Sequence, residues 1–122
     1  VKVKLFYANW DKIRREDEDR SMLSAVSFQG VFLEQRPDLY DLVFEWDFED
    51  GAEPEDFLFV EFNVIEEPSE TMRRKRIRSM SVGDVVVYNG RAHICAGCGW
   101  KRIDAPAWMV ERTGEVDQQP EA

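Results

Sequence analysis

The segment DVVVYNGRAHICAGCGWKRI, residues 84–103, leaves the chain little conformational choice. Asn89-Gly90 sits between two apolar runs, and both residues accept the positive φ that a type I′ hairpin turn demands. Strands are therefore predicted over 84–89 and 91–96. Val85 and Val87 face one way, Val86 and Tyr88 the other. Gly97 and Gly99 bracket Cys98 and make a second bend, after which residues 100–103 return as a third strand. Such a meander commits the fold to a mainly antiparallel sheet.

Two further strands read from period-2 alternation. VKVKLFYA, residues 1–8, places Val1, Val3, Leu5 and Tyr7 on one face and Lys2, Lys4 and Phe6 on the other, the pattern of a half-buried strand. YDLVFEWDFED alternates most cleanly, with Leu42, Phe44, Trp46 and Phe48 on an aromatic face and Asp41, Val43, Glu45, Asp47 and Glu49 on an acidic one. A strand is predicted over 40–49, ending at Asp50-Gly51. Residues 54–63 begin with Pro54, Glu55 and Asp56, which suit a helix first turn. Phe57, Leu58, Phe59, Val60 and Phe62 then make a wide apolar stripe, so a short helix is predicted, with a buried strand as the alternative. NWDKIRREDEDRS reads as an exposed loop or short helix capped by Asn9 or Asp11. Residues 21–36 read as a short helix or irregular stretch, interrupted at Gly30 and turning at Arg36-Pro37-Asp38. Trp108, Met109 and Val110 pack back on the domain, and the polar residues from Thr113 onward are expected to be disordered. The fold class is α+β: one domain over residues 1–112, a mainly antiparallel sheet with a carboxyl-terminal meander and one or two short helices, then a tail over 113–122.

A formal net charge of -9 disfavours polyanionic partners, nucleic acid and anionic lipid alike. No stretch approaches the ~20 apolar residues of a membrane span. The amino-terminal residues lack the basic, apolar and small-residue regions of a signal peptide, so a cytoplasmic location is expected. Two cysteines are too few for a disulfide framework.

Those cysteines, with the single histidine, form the sharpest chemical constellation: His93-Ile94-Cys95-Ala96-Gly97-Cys98. Cys95-x-x-Cys98 has knuckle spacing, and His93 shares a strand face with Cys95. Yet a structural zinc site wants four ligands, and the chain has no second cysteine pair and no second histidine. A redox C-x-x-C sits where a strand runs into a helix, whereas this one lies between two strands. Cys95 and His93 are two apart on one strand, roughly 6–7 Å, too far for direct proton transfer. Packed thiols in a hairpin fit the spacing, and no metal or cofactor is assigned.

The remaining constellations are charge clusters. Arg73, Arg74, Lys75, Arg76 and Arg78 form the one basic run, read as a loop over 73–78, and it is the segment through which nucleic acid would bind, with Tyr88 or Trp100 as stacking surfaces. Glu45, Asp47 and Glu49 crowd one strand face and read as a solvated surface. Ser81 and Asp84 bracket Val82-Gly83 just before a strand, where such side chains hold turn amides. A ligand site on Ser79 and Ser81 is the alternative. No phosphate-binding glycine loop and no EF-hand pattern are present.

Three segments resemble the YodL-like domain, a small domain of unknown function in bacterial and mobile-element proteins. DGAEPEDFLFVEFNV is similar to its short acidic helix ending in Phe-Asn. RSMSVGDVVVYNGR is similar to its Arg-Ser-Met/Leu-Ser-Val-x-Asp-Val core. HICAGCGWKRI is similar to its terminal Tyr-x-Val-Asp-Ser-Phe-Gly-Phe-x-x-Ile pattern. The resemblance covers about residues 50–103, and residues 1–49 match only loosely. It implies that Cys95 and Cys98 stand where relatives carry core Val and Phe, as small apolar substitutes. Gly99 and Trp100 keep the family's Gly-aromatic pair, while Ala96-Gly97 replaces Asp-Ser. The family supplies no catalytic residues to carry over.

Together these features predict a non-enzymatic module that binds an unidentified protein partner. Its contact surface would be the acidic face of 41–50 or the basic run 73–78. The alternative is a nucleic-acid-linked role, either binding through 73–78 or mimicking nucleic acid to occupy a DNA-binding protein. The sequence sets no oligomeric state.

Overall fold

Asn89 and Gly90 adopt the left-handed conformations their turn requires, at φ 52° and 73°. The computed structural model describes residues 1–16, 21–49, 51, 53–63 and 69–114. In it the turn joins β3 (Val85–Tyr88) to β4 (Arg91–Ala96), and a second turn at Gly97-Cys98 leads into β5 (Gly99–Asp104). With β1 (Lys2–Ala8) and β2 (Tyr40–Asp47) these make a five-stranded sheet of order β2-β1-β3-β4-β5, every neighbouring pair antiparallel. The expected α+β architecture and its carboxyl-terminal meander are present. The expectation of a disordered tail falls outside the described residues from 115 onward.

β1 is the first correction. It lies between β2 and β3, which pair both its edges, and a core lies against each of its faces, so every residue from Val3 to Ala8 is buried. Val3, Leu5 and Tyr7 enter one core, and Phe6 and Ala8 the other. Lys4 is only 5% exposed. Its ammonium donates to the carbonyls of Val110 at 2.6 Å and Arg112 at 2.5 Å, which keeps a buried charge solvated by backbone.

β2 is the second correction. Its register against β1 shifts between Leu5 and Phe6: Leu5 pairs with Phe44, but Phe6 pairs with Leu42, leaving Val43 as the extra residue of a bulge. A one-residue slip turns side chains to the opposite face. Leu42 therefore packs with Phe6 and Tyr40, while Phe44, Trp46 and Phe48 pack on the other side. The single aromatic face expected for 42–48 is split between two cores.

Among the described residues five short α-helices cover the sheet, where one or two were expected. On one face lie α1 (Trp10–Glu16), α2 (Ser21–Gln29) and α5 (Ala107–Glu111), contributing Ile13, Val26 and Met109 to the first core. Asn9 caps α1, its side-chain carbonyl accepting from the Lys12 amide at 3.1 Å. Gly30, at φ 69°, ends α2, and the amides of Gly30 and Val31 reach back to the carbonyls of Val26 and Ala25. On the other face lie α3 (Pro54–Glu61) and α4 (Glu70–Lys75), contributing Leu58 and Met72 to the second core. The helix expected over 54–63 is thus α3. Phe6, Phe32, Tyr40 and Trp108 form an aromatic cluster under α5, with ring centroids 5.4–6.3 Å apart. Among the described residues no helix is long and apolar enough to cross a membrane.

Candidate functional site

The basic run does not form one surface. Ser69 caps α4 by accepting from the Met72 amide, and helix continues through Lys75, so the first half of the expected loop is helical. Arg76 ends the helix in the left-handed region at φ 55°. Arg73, Arg74 and Arg76 are exposed and Lys75 is half-buried. Arg78 turns inward. Its guanidinium packs 4.3 Å from the Tyr7 ring centroid and 3.8 Å from that of Trp10. It meets the Asp84 carboxylate through two parallel hydrogen bonds, 2.7 and 2.8 Å, and also donates to the carbonyls of Ala8 and Ser79.

Asp84 is fully buried. Besides Arg78 it accepts from the amides of Ala8 and Ser81. Burial pushes its carboxyl up, while Arg78 and the two amides pull it back down. The turn role expected of Asp84 is present and larger than local, because it ties β1 to the entry of β3. Ser81 contributes its backbone amide to that node. Asp84 is thereby removed from any external contact surface, and Arg78, a quarter exposed, has its guanidinium committed to that carboxylate.

The acidic face of β2 is broken up in the same way. Glu45 is 2% exposed, with Lys2 3.7 Å away. Asp47 takes the amino-terminal ammonium at 2.8 Å, and Asp41 accepts from Asn9 at 2.9 Å. The bulge sets Asp41 and Asp47 on opposite sheet faces, and Glu49 is exposed beyond the strand end. These carboxylates make no regular row.

The two cysteines part company. Cys95 is buried and Cys98 exposed at the turn. Cys98 therefore does not occupy the core position that the resemblance implied, because it lies in the turn between β4 and β5 with its side chain exposed. Among the described residues no group of three or more His, Cys, Asp or Glu side chains is placed to hold a metal ion. Burial pushes the Cys95 thiol up to about 11.

His93 has a different company from the one its sequence neighbours suggest. Its ring stacks on Tyr88 with centroids 4.4 Å apart and planes 5° from parallel. Its Nδ1 lies 2.9 Å from Oε1 of Glu55 but out of line for a hydrogen bond, and Tyr88 donates to that same oxygen at 2.8 Å. Glu55 sits in the first turn of α3 yet is 7% exposed. Burial holds His93 below its ordinary value, reinforced by Arg102 and Arg91 and opposed by Glu55. Burial, then the hydrogen bond to Glu55, pushes the Tyr88 hydroxyl up to about 12. This trio fastens α3 to the meander.

Over the edge of that attachment opens a cleft of about 430 Å³. Asp56, Phe59 and Val60 of α3 form one wall; Cys95, Ala96, Gly97, Gly99 and Trp100 of the β4–β5 hairpin form the other. Phe59 is 44% and Val60 67% exposed. On the opposite face Gly30 backs onto the Cys95 carbonyl and Ala96, and beside it Phe28 is 77% exposed. Large exposed apolar side chains thus flank the same hairpin end. Sequence reasoning offered Trp100 as a stacking surface for nucleic acid but did not single out Phe59 or Val60 as surface residues. The available signal was α3 itself, whose apolar residues extend beyond the stripe that one buried face requires.

Compared with protein-family models, with curated proteins and with solved structures, the chain matches none.

Proposed function

We propose that this chain is a non-enzymatic protein-interaction module and that its contact surface is the cleft between α3 and the β4–β5 hairpin. The observation that carries this reading is the exposure of Phe59 and Val60 on the wall facing Trp100. Fully burying an exposed valine or phenylalanine is worth about 1.5–3 kcal/mol, and the exposed fractions of Val60 and Phe59 together supply about one such anchor for a modest interface. Grouped apolar exposure beside a concave surface is a feature of docking sites. Membership of the YodL-like family over about residues 50–103, a bacterial or mobile-element origin and a cytoplasmic setting belong to the same proposal and rest on the sequence patterns. Of the basic run 73–78, the nucleic-acid reading keeps Arg73, Arg74 and Arg76 as exposed cations.

The test is selection of displayed random peptides on the immobilised full chain, with a Val60→Asp variant as counter-screen. Val60 is exposed, so the variant keeps the core. Enriched clones should bind the parent at least about tenfold better than the variant, an apolar anchor's worth of affinity. No enrichment, or clones indifferent to the variant, would exclude the cleft. Retardation of single-stranded DNA, lost when Arg73, Arg74 and Arg76 are replaced together, would put nucleic acid first.

A further inference from the structure

The cleft opens beside a sheet edge. β5 is the last strand in the order β2-β1-β3-β4-β5 and among the described residues pairs only with β4. The Ala105 amide donates to Gly90. Amides facing one neighbour alternate along an antiparallel strand, so those of Lys101 and Ile103 also face β4. The amides and carbonyls of Trp100, Arg102 and Asp104 then point outward. Their side chains share the sheet face of His93 and Cys95, the face that carries α3, since Trp100 pairs with Cys95 and Arg102 with His93. One backbone edge and one apolar cleft therefore meet at Trp100.

The charges along that edge are specific. Arg102 is exposed and makes no ion pair among the described residues, whereas Asp104 has Arg91 at 3.6 Å. A strand laid against β5 with a side chain opposite Trp100 would set its next same-face side chain, two residues on, opposite Arg102.

We infer that the cleft's occupant is an extended peptide segment that adds to β5 as a sixth strand, seats one large apolar side chain against Trp100, Phe59 and Val60, and presents a carboxylate to Arg102 two residues away. This rests on the cleft being the contact surface and goes further by naming the binding mode and the partner's pattern. Main-chain hydrogen bonds supply sequence-independent affinity in such additions, and alternate side chains supply selectivity. Unpaired edges are also where chains aggregate, and the charges of Lys101 and Arg102 suppress indiscriminate pairing while admitting an acidic strand.

The probe is the acetylated, amidated peptide Thr-Thr-Glu-Thr-Phe-Thr-Thr, whose Glu meets Arg102 when its Phe lies opposite Trp100 in the antiparallel pairing used throughout the sheet, titrated to millimolar concentration into the full chain and followed by amide exchange and side-chain NMR. Slowed exchange at Trp100, Arg102 and Asp104, together with shifts at Phe59 and Val60, is expected. Replacing the peptide's Phe by Ala should weaken binding about tenfold or more. Replacing its Glu by Lys should weaken it about two- to fivefold, and an Arg102→Glu variant should reverse that preference. Shifts at Phe59 and Val60 without protection of the edge amides would overturn strand addition and leave the cleft standing. Protection of the edge amides with no response at Phe59 and Val60 would overturn the apolar anchor. No response at any of these residues, while selected peptides still require Val60, would overturn the whole inference without touching the cleft reading.

Discussion

Arg78 and Asp84 are joined by a two-pronged ion pair, 2.7 and 2.8 Å, with the carboxylate wholly buried and the guanidinium packed against Tyr7 and Trp10. Asp84 also holds the Ala8 and Ser81 amides, so one carboxylate fixes the end of β1 against the start of β3. Removing one partner leaves a buried charge and orphaned donors. Asp84→Ala should lose about 3–5 kcal/mol in urea denaturation. Arg78→Lys keeps the charge but not the fork and should lose less, about 1–3 kcal/mol. The double variant should cost clearly less than the sum of the single ones, and additive losses would show that the two side chains act separately.

Gly83 immediately precedes that aspartate at φ 95°, and an added Cβ would lie 2.6 Å from the Val26 carbonyl oxygen. Gly83→Ala therefore combines left-handed strain with a backbone clash and should cost about 3 kcal/mol or more. Gly90, at φ 73°, has open space at the corresponding point, so Gly90→Ala should cost only about 1–2 kcal/mol. Thermal midpoints measured side by side give the comparison. Equal losses would mean that contact with Val26 is unimportant.

His93 makes stability depend on pH. Its folded value lies below the ordinary 6.5, so on acidification the unfolded chain takes up this proton first. Its contribution is complete above about pH 6.5 and declines as pH falls from there toward the folded value. Glu55 opposes the decline, and Arg91 and Arg102 sharpen it. The urea midpoint should fall across this window in the parent and stay flatter in His93→Phe, which keeps an aromatic ring over Tyr88. Parallel curves would mean that another group titrates.

The two thiols should differ sharply. Cys98 is exposed, whereas Cys95 is buried and pushed up to about 11. At neutral pH a disulfide reagent should modify one cysteine rapidly and the other only after denaturation, with Cys98→Ser abolishing the fast phase. Two fast equivalents would mean that the β4–β5 hairpin opens readily.

The local elements were legible where short-range chemistry sufficed. Asn89-Gly90 dictates its own turn, Pro54-Glu55-Asp56 starts α3, and alternation marks β1 and β2, because these signals depend on backbone preferences a few residues long. The sequence by itself also determined the antiparallel character of the meander and the absence, within these 122 residues, of any apolar stretch long enough to span a membrane as a helix. Tertiary structure decided the rest. Nothing in VKVKLFYA says that β1 is central, and only that position, with the α5 carbonyls above it, buries Lys4. Nothing in LVFEW marks Val43 as a bulge, since both registers alternate and only pairing with β1 chooses. Arg78 is indistinguishable in sequence from the exposed Arg73, Arg74 and Arg76 until Asp84, Tyr7 and Trp10 converge on it. The cleft has the same origin. Its walls come from α3 and from a hairpin some forty residues further along the chain, and residues that far apart meet only when the sheet brings them together.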